Sequence, residues 1–522
     1  MTRRRRRRRP PPPPPPRDGS PSTHRKFVLY TIQRVMTQEI VPSTLSNPTA
    51  TPRAVVDPAH ARARSRLARR THEMSAVVAV PLARARAVAR APSARRGAMM
   101  TMTAGTSARR ISPSLARVAA RGRTTTAHGA ADATYDTSAH EQLMSGLKGA
   151  ALNAKEKRFP SMQEVLSNIP KECFERDTAK SLAYALTSTA ITLACGALAY
   201  AFVPLQAAYW PVWVAYAFVT GTAATGCWVA AHECGHGAFS DNKTVQDTVG
   251  YILHSLLLVP YFSWQRSHAV HHSRTNHVLE GETHVPARLG TEDANMVFKL
   301  RGLLGEGPFT FLNLIGVFAL GWPIYLLTGA SGGPVRGKTN HFLPFMGEQG
   351  KHALFPGKWA KKVWQSDVGV IAVLGALAAW AAHSGIATVM ALYVGPYMVT
   401  NFWLVLYTWL QHTDVDVPHF EGDDWNLVKG AFMTIDRPYG PVFDFLHHRI
   451  GSTHVAHHIN HTIPHYHAKM ATEALQKAYP DLYLYDPTPI ATATWRVGSK
   501  CIAIVKKGDE WVFTDKELAR AC

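Results

Sequence analysis

The sequence predicts an all-α integral membrane protein: four transmembrane helices in two hairpins, interfacial helices between them, and a histidine-rich cap on the cytosolic or stromal side. Two observations lead there. Long uncharged stretches come in pairs. At or beside their ends lie three histidine clusters: His232 and His236 in HECGH, His268, His271 and His272 in HAVHH, and His454, His457 and His458 in HVAHH.

The first 135 residues stand apart. They hold 27 of the 57 Lys and Arg but 5 of the 36 Asp and Glu, which leaves 30 basic and 31 acidic residues for the rest. The net charge of +21 therefore belongs to the N-terminus. A nucleic-acid-binding domain would carry its basic patch on the folded part, so that class is excluded. The arginine run at 3–9 and the proline run at 10–16 offer no apolar face to bury and are expected to be disordered, or to lie upstream of the true start. From Met74 the chain turns to Ala, Arg, Ser and Thr, with Asp132 its one acid before 136, the composition of an organelle transit peptide. The expected organisation is a basic, disordered 1–135, with Met74 as an alternative start, followed by a membrane domain over 136–522. The six cysteines form no CxxC pair, so neither a disulfide framework nor a zinc–thiolate site is expected. Cys234 reads as a small apolar filler inside the first cluster.

Residues 181–205 carry no charge across 25 positions, enough for about 37 Å of helix against a hydrocarbon core of roughly 30 Å. The second span, 211–231, runs directly into His232, and Trp210 and Trp213 mark the interface between the two. The second pair is 368–383 and 386–410; the latter ends in WLQHT, so His412 emerges at the membrane surface. Two apolar stretches remain, 249–264 with His254 and Pro260 and 311–329 with Asn313 and Pro323. If the clusters share one site, an even number of crossings must separate them. The first stretch, 16 residues long, is too short to span, and 311–329 is assigned to the interface to keep the count even. Basic residues before the first span (Lys171, Arg176, Lys180) and between the pairs (Lys351, Lys358, Lys361, Lys362) lie on the histidine side, whereas the turns at 206–210 and 384–385 carry none. The histidines therefore face the cytosol or stroma.

His232 and His236 are four apart and share a helical face, so both can ligate one ion. HECGH also fits the HExxH zinc-protease pattern, with Glu233 as general base. A zincin, however, uses three protein ligands and has no use for two further HxxHH clusters. Each HxxHH fans over roughly a third of a helix and can serve two metals. His412 is the ninth candidate ligand. His254, His277, His284, His419, His447, His448, His461, His465 and His467 are read as surrounding or surface groups, and Asp241, Asp414, Asp436 and Asp444 as carboxylates that could orient ligand rings. A metal transporter with histidine-rich loops is disfavoured because the spans lack acids. Neutral imidazoles against apolar helices suit iron attacking an apolar substrate, since zinc has no redox chemistry.

HECGHGAFSDN, HSLLLVPYFSWQRSHAVHH, WLQHT and GSTHVAHHINHTIPHYHA resemble the membrane fatty-acid desaturases, more narrowly their oleate (delta-12) and omega-3 branch; IPKECFER and TPIATATWR extend the resemblance. It implies a non-haem enzyme with two Fe ions that uses O2 and two electrons to place a cis double bond in a lipid-linked acyl chain. His232, His236, His268, His271, His272, His412, His454, His457 and His458 would be the iron ligands. Glu233 looks more like the delta-12 type, while RTNHVLEGETHVP departs from the plant delta-12 pattern. An omega-3 desaturase or related acyl hydroxylase is the alternative. No haem-binding HPGG segment occurs in the sequence, so an external electron donor is expected. A transit peptide would imply ferredoxin in a plastid, whereas the motifs resemble the endoplasmic-reticulum type served by cytochrome b5; of these two opposed signals the transit-like composition is followed, and a plastid membrane is expected.

Overall fold

The computed structural model describes residues 157–514; the basic segment 1–135, and with it the transit-peptide and start-site expectations, lies outside the described residues. Helix α1 (Met162–Ser167) leads to α2 (Thr178–Phe202), which begins where the Asp177 carboxylate accepts the Lys180 backbone N–H. Helix α3 (Trp210–His236) returns beside it. Gly237 stops α3 by adopting φ 79°, the left-handed conformation that a Cβ penalises, and this leaves His232 and His236 at the helix end. Asn242 caps α4 (Lys243–Leu256), and α5 (Tyr261–Ser273) carries the second histidine cluster.

After α6 (Glu292–Leu304) and α7 (Glu306–Thr328) comes the second apolar pair, α8 (Lys358–Ser384) and α9 (Ile386–His412), joined at Gly385 with φ 86°. Within α9 a π-helical turn at Met390–Val394 leaves the Leu392 carbonyl to accept the Tyr216 hydroxyl at 3.0 Å. A Cβ on Gly221 of α3 would lie 2.4 Å from the Pro396 carbonyl, so the absence of a side chain there lets α3 and α9 pack backbone to backbone.

Among the described residues, five helices are long and apolar enough to cross a bilayer: Thr178–Phe202, Ala207–His236, Glu306–Thr328, Lys358–Ser384 and Ile386–His412. The stretch assigned to the interface, now α7, meets the same length and composition test as the others. Both its ends make polar contacts, the first with cap helix α14 and the second with the loops that follow α5 and α7. At its start Glu306 pairs with Lys500 (3.2 Å) and Arg301 (2.9 Å). Near its end Tyr325 donates to Glu282 (2.6 Å) and the Leu326 carbonyl accepts from His341 N–H (2.8 Å).

The cap holds α10 (Leu427–Phe432), α11 (Pro441–Leu446), α12 (His454–Ile459), α13 (His465–Ala478) and α14 (Ile490–Lys500). Its core gathers Val165, Phe420, Phe432, Ile435, Val455, Leu475 and Leu484. Short strands amend the all-α expectation. Strands β2 (Ile435–Asp436) and β3 (Leu484–Tyr485) pair in parallel, and β1 (Ala287–Arg288), β4 (Ala503–Lys507) and β5 (Glu510–Phe513) form a three-stranded sheet. Two- to five-residue strands give too little alternation to read from sequence.

One buried ion network fastens the cap to α9. Arg437, fully buried, donates to Asp414 (2.7 Å) and Asp486 (3.0 Å), and Arg496 reaches both carboxylates at 2.6 Å. Asp414 follows His412 by two residues, so this lock fixes the exit of the span. Replacing Arg437 with Met should cost about 3–5 kcal/mol by leaving buried carboxylates under-compensated; a denaturation midpoint equal to wild type in detergent would count against the network. Burial pushes the Glu282 carboxyl up to about 7 from its ordinary 4.5. Between those values the folded chain holds a proton that the unfolded chain has released, so stability should fall as pH rises through the window. Glu282→Gln should flatten that fall, measured as melting temperature against pH.

Candidate metal centre

Four elements deliver the nine histidines to one place. His232 and His236 come from the end of α3, His268, His271 and His272 from α5, His412 from the last residue of α9, and His454, His457 and His458 from α12. They sort into two groups. In the first, Nε2 of His232 lies 3.1 Å from those of His236 and His268, and Nε2 of His268 lies 3.2 Å from that of His272. The His457 ring completes it, 4.8 Å from His232 and 4.7 Å from His272, and the five ligand atoms lie within 4.8 Å of one another. The second group is His271, His412 and His458, likewise within 4.8 Å. Nε2 of His412 is 3.1 Å from that of His271 and 2.9 Å from that of His454, which joins His454 to this group.

The HxxHH spacing explains the division. On α5, His268 and His272 are one turn apart and face the first group, while His271 turns to the second; on α12, His457 faces the first group, and His454 and His458 the second. The groups adjoin where the His272 and His458 rings stack at 4.1 Å.

Imidazole nitrogens at about 3 Å can share one proton per pair at most, so this many converging nitrogens present more lone pairs than protons. Burial holds His268, His272, His454 and His458 well below their ordinary value of 6.5 and takes His271 and His457 down to about 3. Neutral imidazole is the form that binds a metal. Buried ring nitrogens of His232, His272, His454, His457 and His458 have no hydrogen-bond partner among the described residues. The donor set therefore fits transition-metal cations, two groups for two ions.

Hydroxyls and indoles contact the rings, and one carboxylate, Glu233, comes to 3.9 Å from His232 Nδ1. Thr283 Oγ1 meets His271 Nδ1 at 2.9 Å and Thr275 Oγ1 meets His458 Nδ1 at 3.0 Å; Trp264 stacks on His268 at 4.6 Å. The four aspartates expected to orient rings do other work. Asp241 pairs with Arg176, Asp414 with Arg437 and Arg496, Asp444 with Arg449 and Ser452, and Asp436 accepts the backbone N–H groups of His454 and Val455, capping α12. Sequence proximity had suggested them, but the carboxylates were needed by arginines and by a helix N-terminus.

Two histidines read as surrounding groups come close to the centre. The His461 ring is 4.8 Å from His236, and the His284 ring stacks on His412 at 5.6 Å. His461 follows His458 by three residues, a signal that could have marked it. Glu233 turns away from the protease role: its Oε2 accepts the His465 backbone N–H at 2.9 Å. On the membrane side, Thr225, Trp228, Val229, Leu404, Tyr407 and Ile450 close a small apolar chamber over histidines of both groups. A larger cavity of 530 Å³ lies deeper, with Leu193, Tyr216, Ala224, Leu257, Tyr393 and Tyr397 in its walls.

A profile of the fatty acid desaturase family matches residues 207–488. The chain is 37% identical over 373 residues to a "Delta(12) fatty acid desaturase" of Mortierella alpina, covering 68% of this chain and 90% of that protein. It is 37% identical over 363 residues to a "Delta(12)-fatty-acid desaturase" of Arabidopsis thaliana, covering 67% and 91%. It is also 37% identical over 358 residues to an "Omega-6 fatty acid desaturase, endoplasmic reticulum" of Brassica juncea, covering 67% and 90%. The apolar helices, the paired histidine groups and these matches agree: the chain belongs to the fatty acid desaturase family, membrane oxidoreductases of lipid acyl chains.

Proposed function

We propose that this chain is an oleate (delta-12) desaturase whose nine histidines, His232, His236, His268, His271, His272, His412, His454, His457 and His458, hold two irons. The observation that carries the reading is the meeting of two imidazole groups beneath an apolar chamber, in a chain similar to desaturases named for the delta-12 position. The overall change is –CH2–CH2– plus O2, two electrons and two protons, giving –CH=CH– and two waters. Iron bound there would activate O2, the oxidant, for C–H cleavage. The chain supplies position: Trp228, Val229 and Leu404 hold an acyl segment against the histidines and keep bulk water from it, and Thr275 and Thr283 fix the tilt of His458 and His271.

Four spans, α2 with α3 and α8 with α9, satisfy the requirement that His236 and His412 end on one side, and the contacts of α7 with cap helix α14 at its start and with the loop after α5 near its end support placing it along the interface. Electrons come from an external donor. The transit-like composition of 74–135 supports a plastid membrane and ferredoxin, whereas the Brassica relative's name would pair with cytochrome b5 at the endoplasmic reticulum.

Expression in a yeast without polyunsaturated lipids should yield linoleate by gas chromatography; folded, iron-loaded protein giving no new double bond would refute the proposal. His454→Ala should lower both iron content and desaturation, by at least about a hundredfold for activity, because a direct ligand matters no less than the groups supporting it. Glu233→Gln should retain iron and measurable desaturation, whereas a zinc protease would lose all activity on that change and tolerate His454→Ala.

A further inference from the structure

The reaction proposed above consumes two protons and releases two waters beneath a chamber whose membrane side is apolar. An aqueous connection must therefore open elsewhere. On the cap side, a polar cleft of 620 Å³ has Tyr184, Asp444, Arg449, Ser452, Lys469 and Glu473 in its walls. At its floor His448, Thr453 and His465 also line a second, far smaller cavity of 10 Å³, whose remaining wall includes Glu233, Ala468 and the candidate ligand His457. One water needs about 10–15 Å³ of such space, so this neck is the size of a single molecule.

Its walls ask for one. His448 Nδ1 and His465 Nε2 are buried and have no hydrogen-bond partner among the described residues, and buried polar atoms left by the protein are the usual partners of ordered water. The backbone is bent to put His448 there. His448 (φ 52°) and Arg449 (φ 61°) are consecutive non-glycine residues in the left-handed region, a costly conformation that recurs at functional sites. It is held by Asp444, which accepts from Arg449 at 2.9 Å and from Ser452 at 2.8 Å, and it sets the His448 ring 3.0 Å from Ser188 of α2.

We propose that the neck between His448, His465 and His457 holds an ordered water that links the cap-side cleft to the metal centre, carrying protons inward and product water outward. The proposal rests on the desaturase reading for its purpose, but not for its geometry. Protons pass along the water, so His448 and His465 act as positioning residues that hold it.

Ala468, in the first turn of α13, is the residue to test because its small side chain borders the neck. Ala468→Phe should lower turnover on the order of tenfold while leaving iron content and the KM for the acyl substrate unchanged. The solvent deuterium isotope effect on turnover should rise, and Ala468→Ser should behave as wild type. Wild-type turnover in an iron-loaded Ala468→Phe protein would overturn the proposal, as would a raised KM at unchanged kcat, which would assign the neck to the acyl chain. Should Ala468→Phe fail to fold, an experimental map of the metal-loaded wild type decides: water density within about 3.2 Å of His448 and His465 ring nitrogens supports the neck, and a dry neck refutes it. That map is independent of product analysis, so failure of the desaturase reading, seen as wild type forming no diene, is told apart from failure of the water path.

Discussion

Neutral imidazoles crowded nitrogen to nitrogen in a buried space are tolerable only around cations, and the rest of the molecule is arranged to make that crowding possible. Nε2 contacts of 2.9–3.2 Å link histidines from α3, α5, α9 and α12, which lie far apart in the chain, from His232 to His458. Helices that end at a membrane face bring His236 and His412 to one depth without any long loop. The helix α5 and the short α12 then add their HxxHH fans. The division of labour within each fan, outer residues to one group and the middle residue to the other, is a direct result of 3.6 residues per turn.

Placement of this kind costs free energy locally and is offset by the scaffold. The two-arginine, two-aspartate network beside His412 is worth little as net stability, because desolvation consumes much of the attraction. Its value is geometric: it ties the exit of α9 to β2, and Asp436 on β2 caps the helix that carries His454, His457 and His458. Gly237 and Gly221 serve the same end by different means, one stopping α3 at His236 and the other letting α9 approach it.

Much of this was legible in the sequence because its signals are periodic or long. Uncharged runs marked long apolar helices, and i, i+3, i+4 histidine spacing marked eight of the nine residues that converge, the ninth, His412, being marked by its place at the end of an apolar run. What was not legible depends on contacts between distant segments. Composition alone does not assign α7, and the contacts of Glu306 with Lys500 and of Tyr325 with Glu282 join segments far apart in the sequence. The ring-orienting groups were sought among aspartates, yet Thr275 and Thr283 take that place, and threonines carry no sequence mark of such a role. His284 lies close to the centre through the path of the loop beyond α5, which no helical periodicity reports.

The central claim is that these rings hold a pair of irons. X-ray absorption at the iron edge on purified protein, with metal quantified in the same sample, tests it most directly. The account predicts two irons per chain in a shell dominated by imidazole nitrogen; a single zinc per chain, or iron bound through sulfur, would contradict it.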